Sequence, residues 1–397
     1  MNRIIFSLVF LVACTIVQAQ EAINFQKISL AEAKAQAKAR GKLIFIDGYT
    51  SWCAPCKWME GNVFNQTEAA QFYNANFINT KFDCEVGEGV DVAKQYNIRS
   101  FPTYLFIDSD GKLLYRSQSR MEMQEFINEG KRALDPNFQI PTIRARYEAG
   151  ERSPSFLAAY ITTMTKVDPA SAQEAKEALD GIADPSFLKS AEGWNVIELF
   201  GQSQKDKYGK FFMDNRPYFK GIISAEAFEK KETQLMKYAM YDYIRTKDET
   251  QFKEGLAYFL NKSDEASQVD AALFEVEWVG EYGTDKEFIQ LTNRLSKGVL
   301  KDNDERLSFI GRRYAGVKRD VAPSKARLQQ CYKLAKKAVQ LNENSYSNQG
   351  TFAEICITLK KKKEAVKAAE AARALAELET SKIIKIADAL LARAQAL

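Results

Sequence analysis

The apolar rhythm of this chain changes once. Up to about residue 134 short continuous apolar runs alternate with amphipathic stretches, and beyond that point apolar residues recur at helical spacing. Leu43-Ile44-Phe45-Ile46 is a continuous apolar run, the pattern of a strand buried on both faces. Residues 77–82 and Tyr104-Leu105-Phe106-Ile107 read as further strands, and the turn Asp108-Ser109-Asp110-Gly111 joins the latter to a hairpin partner at 113–116. Ser29-Leu30-Ala31-Glu32 is a capping box that opens a helix closed by Gly41. Further helices are expected directly after residue 53 and at 65–74, 91–96 and 121–133. The resulting order is helix, strand, helix, helix, strand, helix, strand, strand, helix. That order predicts an α/β domain whose mixed sheet is covered on both faces.

Asp135-Pro136-Asn137 punctuates the end of this region, and the remainder, 135–397, reads as all-α. Ser153-Pro154, Asp168-Pro169 and Asp184-Pro185 each place a capping residue before a proline suited to the first helical turn. Helical spacing continues at 228–244 and 287–300, then at 322–341, 347–359, 363–376 and 380–396. In the last group Ala335, Ala338, Ala365, Ala369 and Ala372 supply the small residues that close helix packing needs. From about residue 285 this resembles tetratricopeptide-type repeats with a degenerate period; an irregular helical bundle fits the same pattern. The aromatics Phe211, Phe212, Tyr218, Phe219, Tyr238, Tyr241 and Tyr243 are expected in the helical core, with the lining of a peptide groove as the alternative. Lys360 to Lys363 is expected to be a solvated turn.

Charge narrows the function classes. The chain has 56 Lys plus Arg against 52 Asp plus Glu, a net charge of +4, too balanced for a nucleic-acid partner. It has no histidine, so Ser-His-Asp and Cys-His catalysis are excluded, and proton transfer falls to carboxylates, lysines or thiols. Residues 1–19 carry Arg3, an apolar run and Val17-Gln18-Ala19, the layout of an export signal cut after Ala19. Leu11-Val12-Ala13-Cys14 also resembles a bacterial lipobox that would anchor the chain through Cys14; the apolar run continuing past Cys14 favours simple cleavage. Either route places the mature protein outside the cytoplasm, with the bacterial periplasm as the expected site.

Candidate chemistry gathers at Trp52-Cys53-Ala54-Pro55-Cys56-Lys57. Two cysteines three apart at a helix start form a reversible dithiol/disulfide pair. Cys53 faces the unpaired N–H groups of the helix end, which favour its thiolate and make it the nucleophile. Cys56, nearly one turn on, resolves a mixed disulfide. Without histidine or a second CxxC a tetrahedral zinc site is disfavoured, and no cofactor or metal is expected. Asp47, six residues before Cys53 at the end of a buried strand, is expected to accept the proton of the resolving thiol, its pKa raised by desolvation. Cys84 follows the second strand toward the same sheet edge and reads mainly as a small buried residue; a third redox thiol is the alternative. Cys331 and Cys356 lie at matching distances from the turn near 342–346 and are expected to be buried free thiols rather than a disulfide.

Asp47, the Trp52–Lys57 motif and Ser100-Phe101-Pro102-Thr103, in this order and at these separations, resemble the thioredoxin fold over residues 25–134. The run Cys56-Lys57-Trp58-Met59-Glu60, continuing to Val63-Phe64, is further similar to the exported thioredoxin-like domains of membrane thiol:disulfide interchange proteins. The resemblance implies a cis Pro102 packed against the dithiol, a substrate shelf at Phe101-Pro102, and a match of Lys81 to the lysine that pairs with the buried carboxylate. Lys81 reads equally well as a strand-edge charge. The expected organisation is a signal peptide at 1–19, a thioredoxin-like domain at 20–134 and a helical region at 135–397. Strongly oxidising members of the family carry histidine between the cysteines, and Ala54-Pro55 supplies neither its charge nor its hydrogen bond. The implied activity is reduction or isomerisation of disulfides in protein partners, re-reduced by a membrane or exported electron donor. The alternatives are a redox-sensitive adaptor that works through its helices, or a dithiol oxidase.

Overall fold

The computed structural model describes residues 21–316, 322–377 and 381–397, so the export segment 1–19 and Cys14 lie outside the described residues. The chain divides into two compact units between Ile143 and Arg144.

The first unit follows the expected order: α1 (Leu30–Arg40), β1 (Leu43–Tyr49), α2 (Ala54–Asn62), α3 (Thr67–Asn76), β2 (Phe77–Asp83), α4 (Glu88–Gln95), β3 (Thr103–Ile107), β4 (Leu113–Gln118) and α5 (Met123–Leu134). The sheet order is β2-β1-β3-β4, with β1 and β2 parallel and the other pairs antiparallel. Residue alternation gives the two faces of β1 different fates. Ile44 and Ile46 pack with Ile78, Leu105 and Ile107 against Ala33 and Ala37 of α1 and Val92 of α4. Phe45 points the other way, into an aromatic layer with Tyr73, Phe106 and Phe126 at ring-centroid distances of 4.8, 5.2 and 5.7 Å. Met59 and Val63 of α2 seat on this second layer, which is how the active-site helix is anchored. Asp47 shares the face of Phe45.

Local chemistry sets the element ends. Ser29 accepts from Glu32 N–H while the Glu32 carboxylate accepts from Ser29 N–H, and Gly41 closes α1 at φ 60°. Helix α4 begins three residues ahead of the expected start at 91. Its first turn seats on the end of β2 so closely that a Cβ on Gly89 would lie 1.9 Å from the Asp83 carbonyl oxygen. Only glycine fits there, and the apolar spacing does not register such a contact.

The described residues of the second unit are helical, with no strand among them. Ser153, Asp168 and Asp184 are N-caps with proline in the first turn; Asp168 accepts from Ser171 N–H at 3.3 Å and Asp184 from Phe187 N–H at 2.7 Å. Helices Lys325–Leu341, Tyr346–Thr358 and Lys362–Ala376 bury Leu334, Ala335 and Ala338 against Ala353, Ile355, Ala365 and Ala369. Cys331 and Cys356 are buried free thiols in this core. Phe212 and Phe219 are core residues as expected, whereas Tyr238 and Tyr241 are exposed. Lys231 is an unanticipated buried cation. Its ammonium donates to the carbonyls of Glu198 and Gly201 and to Gln234 Oε1 at 2.8 to 3.0 Å, which satisfies all three of its protons. No helix among the described residues is long and apolar enough to cross a membrane.

Candidate active site

β1 ends at Tyr49 and the chain turns at once, with Cys53 N–H donating to the Thr50 carbonyl at 3.1 Å. Cys53 is the N-cap of α2, and its Sγ accepts the Cys56 N–H at 3.1 Å. That bond is the contact that would favour a thiolate at Cys53 once the pair is reduced. Pro55 lies in the first helical turn, where a missing N–H removes no intrahelical bond. Cys53 and Cys56 form a disulfide with a Cα–Cα distance of 5.3 Å, and they are 3% and 4% exposed. Lys57 is exposed on α2, and its backbone N–H donates to the Cys53 carbonyl at 3.1 Å.

Asp47 is 1% exposed, and its Oδ1 has no hydrogen-bond partner among the described residues. Burial pushes its carboxyl from 3.8 up to about 7, against the opposing pull of Lys81 and with a smaller push from Glu60. A carboxyl with that value exchanges a proton readily at neutral pH. Lys81 sits opposite Asp47 in the β1–β2 register, but its ammonium pairs with Glu60 of α2 and lies 4.7 Å from the ring centre of Tyr49. The lysine therefore acts on Asp47 through its charge, and its ion-pair partner is Glu60. The helix presents Glu60 to the strand, a pairing between elements that one-dimensional spacing does not show.

The Phe101–Pro102 peptide is cis, and Pro102 is buried. Phe101 stands edge-on to Trp52 with ring centres 5.7 Å apart, which joins the shelf segment to the CxxC loop. Trp52, 36% exposed, donates from Nε1 to Glu85 Oε2 at 2.9 Å. Cys84 does reach the same sheet end, its N–H donating to the Tyr49 carbonyl at 2.8 Å. Its Sγ packs at Gly48, 3.4 Å from where a Cβ would stand, and burial with help from nearby carboxylates pushes its thiol up to about 12. A thiol so held is a packing residue at neutral pH. Sequence reading missed Glu60, Glu85 and Tyr104. Tyr104 lies directly opposite Asp47 on β3, and its buried hydroxyl has no partner among the described residues. The antiparallel register, applied to strict alternation, is the signal that places it there.

A family model described as thioredoxin-like matches residues 24–109. Those residues are a thioredoxin-like domain. Within the region the chain is 30% identical over 100 residues to the thiol:disulfide interchange protein DsbD of Citrobacter koseri, a match that covers 24% of this chain and 18% of that protein. It is 35% identical over 75 residues to Thioredoxin-1 of Drosophila melanogaster, covering 19% of this chain and 65% of that one. A solution structure of a candidate disulphide-isomerase from Bacteroides thetaiotaomicron is 36% identical, with 29% of this chain and 95% of that one covered and a TM-score of 0.28. The chain thus spans under a fifth of the length of the interchange protein. The thioredoxin-like domain holds Asp47, the cis Pro102 and the Cys53–Cys56 pair at one end of the sheet, where β1 leads into α2 and β3 begins.

Proposed function

We propose that the protein is an exported thiol:disulfide oxidoreductase that reduces or isomerises disulfides in protein partners. The observation that carries this reading is the Cys53–Cys56 disulfide at the start of α2, on the strand-to-helix turn that leaves β1 two residues after the buried carboxyl of Asp47. In the reduced form the Cys53 thiolate attacks one sulfur of the partner's disulfide. The partner's S–S bond breaks, a Cys53 mixed disulfide forms, and the first partner sulfur leaves as a thiolate. Asp47 takes the proton of Cys56. The Cys56 thiolate attacks Cys53 Sγ, closing the Cys53–Cys56 disulfide and expelling the second partner sulfur, and the departing sulfurs take up protons from Asp47 and from water. Two electrons have moved from the dithiol to the partner. A dithiol donor, in the membrane or exported, restores the starting state by the reverse exchange. The helical unit serves to dock the partner or that donor.

The test is a trap. In Cys56→Ser the mixed disulfide has no resolving thiol, so the protein recovered from its native envelope should carry partners on Cys53 that only a reductant releases. Capture no greater than by Cys53→Ser/Cys56→Ser would count against the proposal.

A further inference from the structure

Arg116 lies on β4 opposite Leu105, in the layer that α1 and α4 cover. It is 7% exposed. A buried guanidinium ordinarily sits on a carboxylate, since a desolvated cation without a counter-charge is costly. This one donates from Nη1 to the Tyr96 carbonyl at 2.9 Å and from Nη2 to the Asn97 carbonyl at 3.1 Å, and its Nε has no partner among the described residues. Both acceptors belong to the end of α4. Asn97 is left-handed at φ 50°, and Ile98 N–H reaches back to the Ala93 carbonyl at 2.8 Å, so the helix stops here and its negative end faces Arg116.

Five residues after Asn97 the same segment reaches Pro102. Thr103 Oγ1 holds the Ser100 carbonyl at 2.7 Å, and Ser119 N–H holds the Pro102 carbonyl at 3.0 Å. Ile98 packs its Cδ1 at Gly48, 2.8 Å from where a Cβ would be, on the residue next to Asp47. The segment is therefore fixed at its far end by Pro102 and Thr103, in the middle by Ile98 on β1, and at its near end by a planar fork that takes two consecutive carbonyls. A lysine, a point charge without that fork, would not hold both in one geometry.

We propose that Arg116 is a positioning residue for the substrate shelf: its grip on the Tyr96 and Asn97 carbonyls sets where Phe101–Pro102 presents backbone to an extended protein segment bound beside Cys53. The role rests on the oxidoreductase reading above and adds a requirement to it. Substrates that lay a polypeptide on the shelf depend on Arg116, and a small disulfide that meets only the sulfur does not.

The experiment compares wild type, Arg116→Lys and Arg116→Gln as full chains, with insulin and with bis(hydroxyethyl) disulfide as substrates. Thermal unfolding is measured alongside. Displacing a recognition segment by a fraction of an ångström to an ångström lowers turnover without altering the thiol. For both variants kcat/KM toward insulin should fall about tenfold or more, while the rate with the small disulfide stays within about twofold of wild type. Equal losses on both substrates, unchanged insulin turnover, or failure of both variants to fold would each overturn the role of Arg116. Wild type inactive on both substrates would instead overturn the oxidoreductase reading, and this role with it.

Discussion

A Cys53→Ser chain should reduce the disulfides of insulin no faster than dithiothreitol alone, whereas the wild-type chain should accelerate the reaction well above that background. Serine fills the N-cap position of α2 equally well and can still accept the Cys56 N–H that Cys53 Sγ accepts at 3.1 Å, so the helix is retained. What would be lost is the proposed sulfur nucleophile, and Cys84 is not expected to replace it. Cys84 lies at the same end of the sheet, but its thiol is pushed up to about 12. At pH 7 that leaves a thiolate fraction of about one in 10⁵, and the group is buried as well. Cys84→Ala should therefore keep insulin turnover within about twofold of wild type. Helical content from circular dichroism should be unchanged in both variants. Residual catalysis in Cys53→Ser that disappears with Cys84→Ala would show that the nucleophile has been misassigned.

Asp47→Asn should stabilise the oxidised thioredoxin-like domain at pH 8 and leave it unchanged at pH 4. Folding raises the Asp47 carboxyl from 3.8 to about 7, so between these values the folded state binds a proton that the unfolded chain has released. Wild-type stability consequently falls as pH rises through this window, and the loss is complete above pH 7. At 1.36 kcal/mol per unit it is on the order of 4 kcal/mol. Asparagine matches the neutral carboxyl in shape and never ionises, which removes the pH-dependent loss. Urea unfolding followed by hydrogen exchange in β1 measures the difference at the two pH values. Turnover moves the opposite way. The resolving thiol loses its proton acceptor, and insulin reduction near neutral pH should slow by about a hundredfold, with the inflection near pH 7 gone. Equal stability of the two proteins at pH 8 would show that burial does not raise the Asp47 carboxyl.

The parts of the fold that follow from local pattern could be read directly in the chain. The strand Leu43–Tyr49 is a run of apolar residues, α1 is bounded by a capping box and a left-handed glycine, and the three Asp/Ser-Pro pairs start three helices. The Cys53–Cys56 pair and the burial of Asp47 could be read from residue type and position, and the cis Pro102 from the thioredoxin resemblance. What stayed hidden depends on contact across elements. Lys81 reaches Glu60 on α2 because sheet and helix pack face to face, Tyr104 faces Asp47 by antiparallel register, and Arg116 meets the α4 carbonyls across a layer. No periodicity along one strand encodes such partners. Gly89 is a related case: its requirement comes from backbone 1.9 Å from its absent Cβ, and a lone glycine in a polar loop carries no mark of that.

The Cys53–Cys56 pair is expected to work as a reductant or isomerase, since Ala54-Pro55 gives the reduced thiolate no charge and no side-chain hydrogen bond. The most direct measurement is the equilibrium potential of that pair in the intact chain. The chain would be equilibrated in dithiothreitol redox buffers, quenched by alkylation and read from the mass of the Cys53–Cys56 peptide, with Cys84, Cys331 and Cys356 followed as separate peptides. The expected potential lies nearer about −270 mV than −120 mV. A value close to about −120 mV would identify an oxidising dithiol and contradict the account.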